Sequence, residues 1–270
     1  VFVFAGLAGA GCSLDAAAAK QAVSLFNSLS HVCYNVASIF TDILSVGMIA
    51  VMFVWTTQCF AVQETGVFVP FILLLLGLFI VITFVLYPLA LHLLFPSQIR
   101  YPLRVLYASL CPVLVAFFSG DANFTLPYLM RHGKESLGIR GRIGSVSFTV
   151  FSIFSRSGSA VVTAAAFITI LHSYSSLSIA AADIVWIALV CCALSFVLGS
   201  IPSGAPFVSL TVLCALYGRG FESGYLLFNS AAPIICSFAA AIDAVTAMFG
   251  TYAAALRLKL IDYRGTKVFI

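Results

Sequence analysis

Arg156 is the one charge in the run FSIFSRSGSAVV, residues 151–162. A guanidinium is a planar fork that holds a carboxylate at two points, so Arg156 is a candidate partner for an anionic group, with a structural pair to Asp243 or Asp121 as the alternative. Ser155, Ser157 and Ser159 around it supply hydroxyls, and an interrupted helix there would free carbonyls. A second polar interruption, SGDANFTLP (119–127), carries Asp121, which could take an amine or a coupling proton, or cap its own backbone, with Ser119 and Asn123 beside it. The third, GSIPSGAP (199–206), brings Ser203 and Gly204. Asp243, in AAAIDAVTAMFGT (239–251), is read as structural, with proton carriage as the sharper option. Ser159, Ser200 and Ser203 near glycines raise a different chemistry, an intramembrane serine protease. Such a nucleophile needs an adjacent base, and His172 falls at the outer end of its helix. His31, His92 and His172 are assigned no function, and Asp42 is read as an interhelical contact.

The elements that position these residues follow from composition. With 62% hydrophobic and 8% charged residues over 270 positions, the chain has too little polar surface for a soluble domain. It reads as an all-α integral membrane protein. The net charge of +4 forms no basic patch on a soluble domain, so a nucleic-acid partner is not expected. The eight cysteines (12, 33, 59, 111, 191, 192, 214, 236) lie mostly inside apolar runs without a CxxC pair, and read as packing residues. The first apolar run lacks a basic n-region and a cleavage signal, so it is not a signal peptide, and an upstream part is expected.

A spanning helix takes roughly 20 apolar residues. Residues 1–12 read as the tail of one helix, 17–57 and 66–95 as long spans, and 224–260 as another. Between them, 101–138 and 183–219 each break into two halves too short to cross comfortably, and 141–173 is interrupted at SRSGS. Two opposed re-entrant hairpins, each followed by a long helix, are therefore predicted. Lys20, Arg100, Arg104, Arg131, Lys134, Arg140, Arg142, Arg257, Lys259, Arg264 and Lys267 then share the cytoplasmic side, leaving Arg219 outside and Arg156 in the membrane. This is the inverted-repeat layout of secondary transporters. Non-helical backbone at membrane depth is tolerated where it is buried in protein or lines a wet cavity, so the breaks are expected to build a site.

At this point the residues resemble the dicarboxylate/amino acid:cation symporter family. TLPYLMRHGKESLGI (125–139) is similar to that family's first-hairpin exit, SGAP (203–206) to its second-hairpin tip, and AAAIDAVTAMFGT to its last helix. The resemblance covers nearly the whole chain. It implies partial scaffold helices over 1–98 (the end of the fourth transmembrane helix, the fifth and the sixth), a transport domain over 99–260, and a cytoplasmic tail over 261–270. It also implies a multi-pass homotrimer in a bacterial inner membrane, a small anionic or zwitterionic substrate, no cofactor, and Na+ or H+ as the coupling ion.

Departures fall on the chemistry. The family's Asn-Met-Asp-Gly-Thr aligns with Ser155 to Ser159, so a sodium carboxylate becomes the Ser157 hydroxyl. The Asp that takes the substrate amine aligns with Ala247, the Arg that takes the side-chain carboxylate with Gly250, and the second sodium Asp with Leu258. Thr251 is retained. Substrate contacts are accordingly expected from Ser119, Asp121, Asn123, Arg156, Ser203, Gly204 and Thr251, and cation coupling from Ser155, Ser157, Ser159 and Asp243, with protons favoured over sodium. A degenerate homologue acting as a passive conductance or inactive remnant is the alternative.

Overall fold

The computed structural model of the chain describes residues 2–14, 19–60, 65–96, 103–174, 181–197, 201, 204–218 and 223–261. Among these residues the regular structure is helical. They contain one isolated antiparallel bridge, between Ile139 and Ile261.

The chain forms two compact units, Val1–Gly47 and Met48–Ile270. The first holds α1 (Phe2–Leu14) and the opening turns of α2 (Lys20–Phe60). Its large apolar side chains, Leu25, Phe26 and Ile43 among them, are exposed, as suits a helix whose solvent is lipid. Thr41 and Ser45 donate their hydroxyls to carbonyls one turn back, those of Ala37 and Thr41, each at 2.7 Å. Those bonds satisfy polar hydrogens that hydrocarbon would leave unpaired.

The second unit takes the rest of α2 and then α3 (Thr65–Ile80), a π-helical turn (Val81–Leu86) and α4 (Tyr87–Leu94). Next come α5 (Leu103–Ser119), α6 (Leu126–Glu135), α7 (Gly141–Phe154) and α8 (Ser157–Tyr174). It ends with α9 (Ala181–Val197), α10 (Ala205–Tyr217), a 3-10 turn (Gly224–Phe228) and α11 (Ala232–Arg257). Proline at the first or second position starts α6 (Pro127), α10 (Pro206) and α11 (Pro233), where its missing N–H costs nothing.

Among the described residues, four stretches are long and apolar enough to cross a membrane: Lys20–Phe60, Phe68–Leu94, Ile143–Ser173 and Ala232–Arg257. They match the expected long segments within a few residues. The start of the last one differs, because 224–228 forms its own 3-10 turn ahead of Pro233. At 17, 17 and 13 residues, α5, α9 and α10 fall short of the roughly 20 residues that a span takes. Of the third interruption, Gly199, Ser200, Pro202 and Ser203 lie outside the described residues, as do Arg100, Arg219 and 262–270 of the expected cytoplasmic tail.

α11 is the axis of this unit, with seventeen of its residues buried. One face joins α5, α6 and α7 in a core of Val105, Leu129, Phe148 and Met248. Its opposite face joins α3, α8, α9 and α10 in a second core of Leu75, Phe167, Leu213 and Ile242. The interruption between α7 and α8 falls where the chain passes from the first core to the second.

Candidate functional site

The α7–α8 break is two residues long. Ser155 ends α7, its N–H still donating to Phe151 O at 3.0 Å, and α8 begins at Ser157. The first turn of any helix leaves N–H groups without partners. Here α11 supplies the acceptor. Asp243, 5% exposed, takes the Gly158 N–H on Oδ1 at 2.7 Å and the Ser159 hydroxyl on Oδ2 at 3.0 Å. A carboxylate from a neighbouring helix thus caps α8, where the helix dipole also favours negative charge. The approach depends on Gly158, since a Cβ there would lie 2.3 Å from Ala239 O and 2.9 Å from Asp243 N.

Arg156, 4% exposed, sits at this same break. Arg156 and Asp243 both line a narrow cleft that, as folded, leaves no room for a water molecule. The remaining wall is Gly120 from the end of α5, Gly204, Ala205 and Pro206 from the start of α10, Ser159, and Cys236, Ala239 and Ala240 of α11. All three interruptions therefore meet in one place. Gly120 (φ +63°) and Gly204 (φ +76°) both hold left-handed backbone there, which favours glycine. Cys236 lines the cleft beside these two glycines, and a Cβ on Gly120 would stand 3.6 Å from Cys236 Cβ.

Other predicted residues serve the frame. Asp121 Oδ1 accepts the Asn123 N–H at 2.7 Å, so the carboxylate caps its own turn, the alternative that the sequence left open. Asn123 Oδ1 accepts the Ser152 hydroxyl at 3.0 Å and ties the turn to α7. The Ser119 hydroxyl stays with backbone of its own turn, at Ala116 O and Asp121. Ser157 shares a hydrogen bond with Thr246 Oγ1 at 2.7 Å, and the Tyr87 hydroxyl bonds that same oxygen. Thr246 donates to Ile242 O, so with its one proton spent there it accepts from both Ser157 and Tyr87. Thr251 is buried two turns beyond Asp243, and its Oγ1 has no hydrogen-bond partner among the described residues. It does not line the cleft, and Ser203 lies outside the described residues.

Sequence reasoning missed Tyr87, Thr246, Ser152 and Cys236, which carry no local pattern. It also missed Trp55, whose Nε1–H donates to Ser237 Oγ at 2.8 Å while its ring meets Phe117 and Phe118. Of the serines in the protease reading, Ser159 donates to Asp243 and has His172 exposed at the far end of α8, roughly 20 Å away at 1.5 Å per residue, while Ser200 and Ser203 lie outside the described residues. At Gly250 the ring of Phe151 fills the side-chain space, with its Cζ 2.4 Å from where a Cβ would be.

As folded the cleft is too narrow for a water molecule, but its border would suit a small anion once it opens: one buried guanidinium and the N-terminal ends of α8 and α10 line it, against a carboxylate already bonded by the Gly158 N–H and the Ser159 hydroxyl. Compared with protein families, residues 1–256 match the model described as the sodium:dicarboxylate symporter family. A comparison with curated proteins finds no match.

Proposed function

Because the chain belongs to the sodium:dicarboxylate symporter family, and so is a multi-pass membrane symporter of that general type, we propose that a small dicarboxylate or amino acid enters the cleft between Gly120 and Gly204 and sets a carboxylate against Arg156. A cation, proton or sodium, accompanies it. The observation that carries this reading is the burial of Arg156 beside two helix N-termini in a cleft with one acidic residue. A guanidinium at membrane depth is costly, by about 2.5 to 3.5 kcal/mol on insertion scales, and marks a substrate path or a partner. In the same reading, 101–138 and 183–219 are opposed re-entrant hairpins whose tips close the cleft. Residues 1–98 belong to a scaffold and 99–260 to the transporting part, and the protein is a homotrimer in a bacterial inner membrane.

Uptake of labelled succinate and aspartate into proteoliposomes under imposed sodium and proton gradients tests this. Accumulation by the wild type, its loss in Arg156→Ala and its partial recovery in Arg156→Lys are expected. Absence of uptake of either compound, or uptake unchanged in Arg156→Ala, overturns it.

A second reading has its own observation. With Phe151 packed over Gly250, the arginine that the resemblance puts at this position has no room, which favours a degenerate protein that conducts passively. Flux that only equilibrates substrate, whatever ion gradient is imposed, would establish that reading over coupled transport.

A further inference from the structure

The chain leaves α11 through a lysine in an unfavourable backbone conformation. Among the described residues Lys259 is the one non-glycine with left-handed backbone, at φ +54°. The turn around it is fully bonded: the Lys259 N–H donates to Leu256 O and the Leu260 N–H to Ala255 O, each at 3.0 Å, the paired bonds with which a helix closes on a left-handed residue. Glycine usually fills that place, because it has no Cβ to clash, so lysine stands here against its backbone preference. Residues held in sparse backbone regions are found where the side chain has work to do. Offsetting the helix dipole does not require this one. The C-terminal end of a helix carries about half a negative charge, and Arg257 in the last turn of α11 already exceeds it.

Beyond Lys259 the chain docks on the link between α6 and α7. Leu260 O accepts the Arg140 N–H at 3.4 Å, and Ile261 forms the antiparallel bridge with Ile139. Arg140, Arg257 and Lys259 are all exposed, so three cations border one corner of the second unit. Leu258, between two of them, is 59% exposed. Glu135, at the end of α6 ahead of the link, is held by Arg131 at 3.4 Å. The corner lies where Ala232–Arg257, long and apolar enough to cross a membrane, ends. Cations around an exposed leucine at that depth match a ligand that carries negative charge above hydrocarbon. A soluble anion would use the cations and leave Leu258 in water. We propose that this corner seats the headgroup of an anionic phospholipid, with Arg140, Arg257 and Lys259 around the phosphate and Leu258 against the acyl chains. Nothing in it depends on the transport reading.

The test uses the purified full chain in a neutral detergent. Thermal unfolding is followed as dioleoyl phosphatidylglycerol or dioleoyl phosphatidylcholine is added to the micelles, because a ligand of the folded state raises the melting temperature with its concentration. Phosphatidylglycerol is expected to give a saturable rise beyond that of phosphatidylcholine, and a smaller one at high salt. Without lipid, Lys259→Gly is expected to melt no lower than the wild type, since glycine adopts this backbone freely. It should nevertheless need about fivefold more phosphatidylglycerol for half of the rise, the factor that one surface cation contributes. Arg257→Gln should move the half-point similarly, and Lys259→Arg should not. Equal responses to the two lipids, or a half-point that either neutral variant leaves in place, would overturn the proposal. A Lys259→Gly protein that melts below the wild type without lipid would do the same, because the lysine would then serve the fold. Inorganic phosphate that matches phosphatidylglycerol at equal concentration would make the corner a site for free anions instead. A lipid response that appears only in Asp262→Asn would show that the next carboxylate of the chain fills the corner, and would also overturn it.

Discussion

Replacing Gly158 by Ala should be among the most damaging single-methyl changes in the protein. The added Cβ would stand 2.3 Å from Ala239 O, 2.7 Å from Ile242 Cβ and 2.9 Å from Asp243 N, roughly 1 Å or less inside the closest ordinary contacts. Two of these three atoms are backbone of α11, so no rotamer change relieves the overlap, and the start of α8 must lift away. Overpacking of this kind costs about 1 to 3 kcal/mol. Lifting α8 also stretches the 2.7 Å and 3.0 Å bonds to Asp243. Bonds to a charged group contribute about 1.5 to 3 kcal/mol each, and partial loss of two brings the expected total to about 3 to 5 kcal/mol. For a chain of this size that is a fall in melting temperature on the order of 10 °C, readable by thermal unfolding of the purified protein in detergent. Gly144→Ala is the control, since a Cβ there meets Ile139 and Phe148 at 3.6 Å and beyond, and it should change little. A Gly158→Ala protein that melts with the wild type would show that α8 does not seat on α11 as described.

Asn123→Ala leaves the buried Ser152 hydroxyl without its acceptor, a loss of about 1 to 3 kcal/mol, and should lower both melting temperature and uptake, whereas Asn123→Asp should retain the bond. Tyr87→Phe keeps the ring stacked on Phe249 at 5.3 Å and removes only the bond to Thr246, so about 1 kcal/mol is expected in the same melting assay; a loss several times larger would mean that the hydroxyl does more than hold α4 to α11. For the topology, single cysteines at Arg104 and Arg140 should react with membrane-impermeant thiol reagents from the same, cytoplasmic, side, and labelling of Arg140 from outside would refute the opposed-hairpin layout.

The architecture was legible where punctuation is local. Pro127, Pro206 and Pro233 start helices, and the Ser155–Arg156 break, with Gly158 just beyond it, announces itself inside an apolar run. Arg156, Ser159 and Asp243 were singled out for their chemistry, and they do converge. How they converge was not legible, because Asp243 meets the α8 terminus only in one register of α11, and no spacing within either helix encodes that register. The same limit hid Tyr87 and Thr246, whose oxygens meet from positions 159 residues apart. It also let Asp121 stand as an open choice, although an Asp two residues before the N–H that it caps is a local arrangement. Thr251, carried over by resemblance, lies two turns past Asp243 and away from the cleft.

Trp55 gives this protein a built-in optical gauge. Indole emission shifts with the polarity and mobility around the ring, and here the ring packs against both Phe117 and Phe118 at 5.3 Å from each, with its N–H anchored on Ser237. The chain has one other tryptophan, Trp186, which is 36% exposed on α9, so Trp186→Phe leaves a single emitter. Phe117 and Phe118 end two to three residues before Gly120, and Ser237 follows Cys236, so the emitter is wired to both sides of the cleft. Whatever shifts the end of α5 against α11 must break that N–H bond or slide the rings, and either event changes the colour of the light without any label being added.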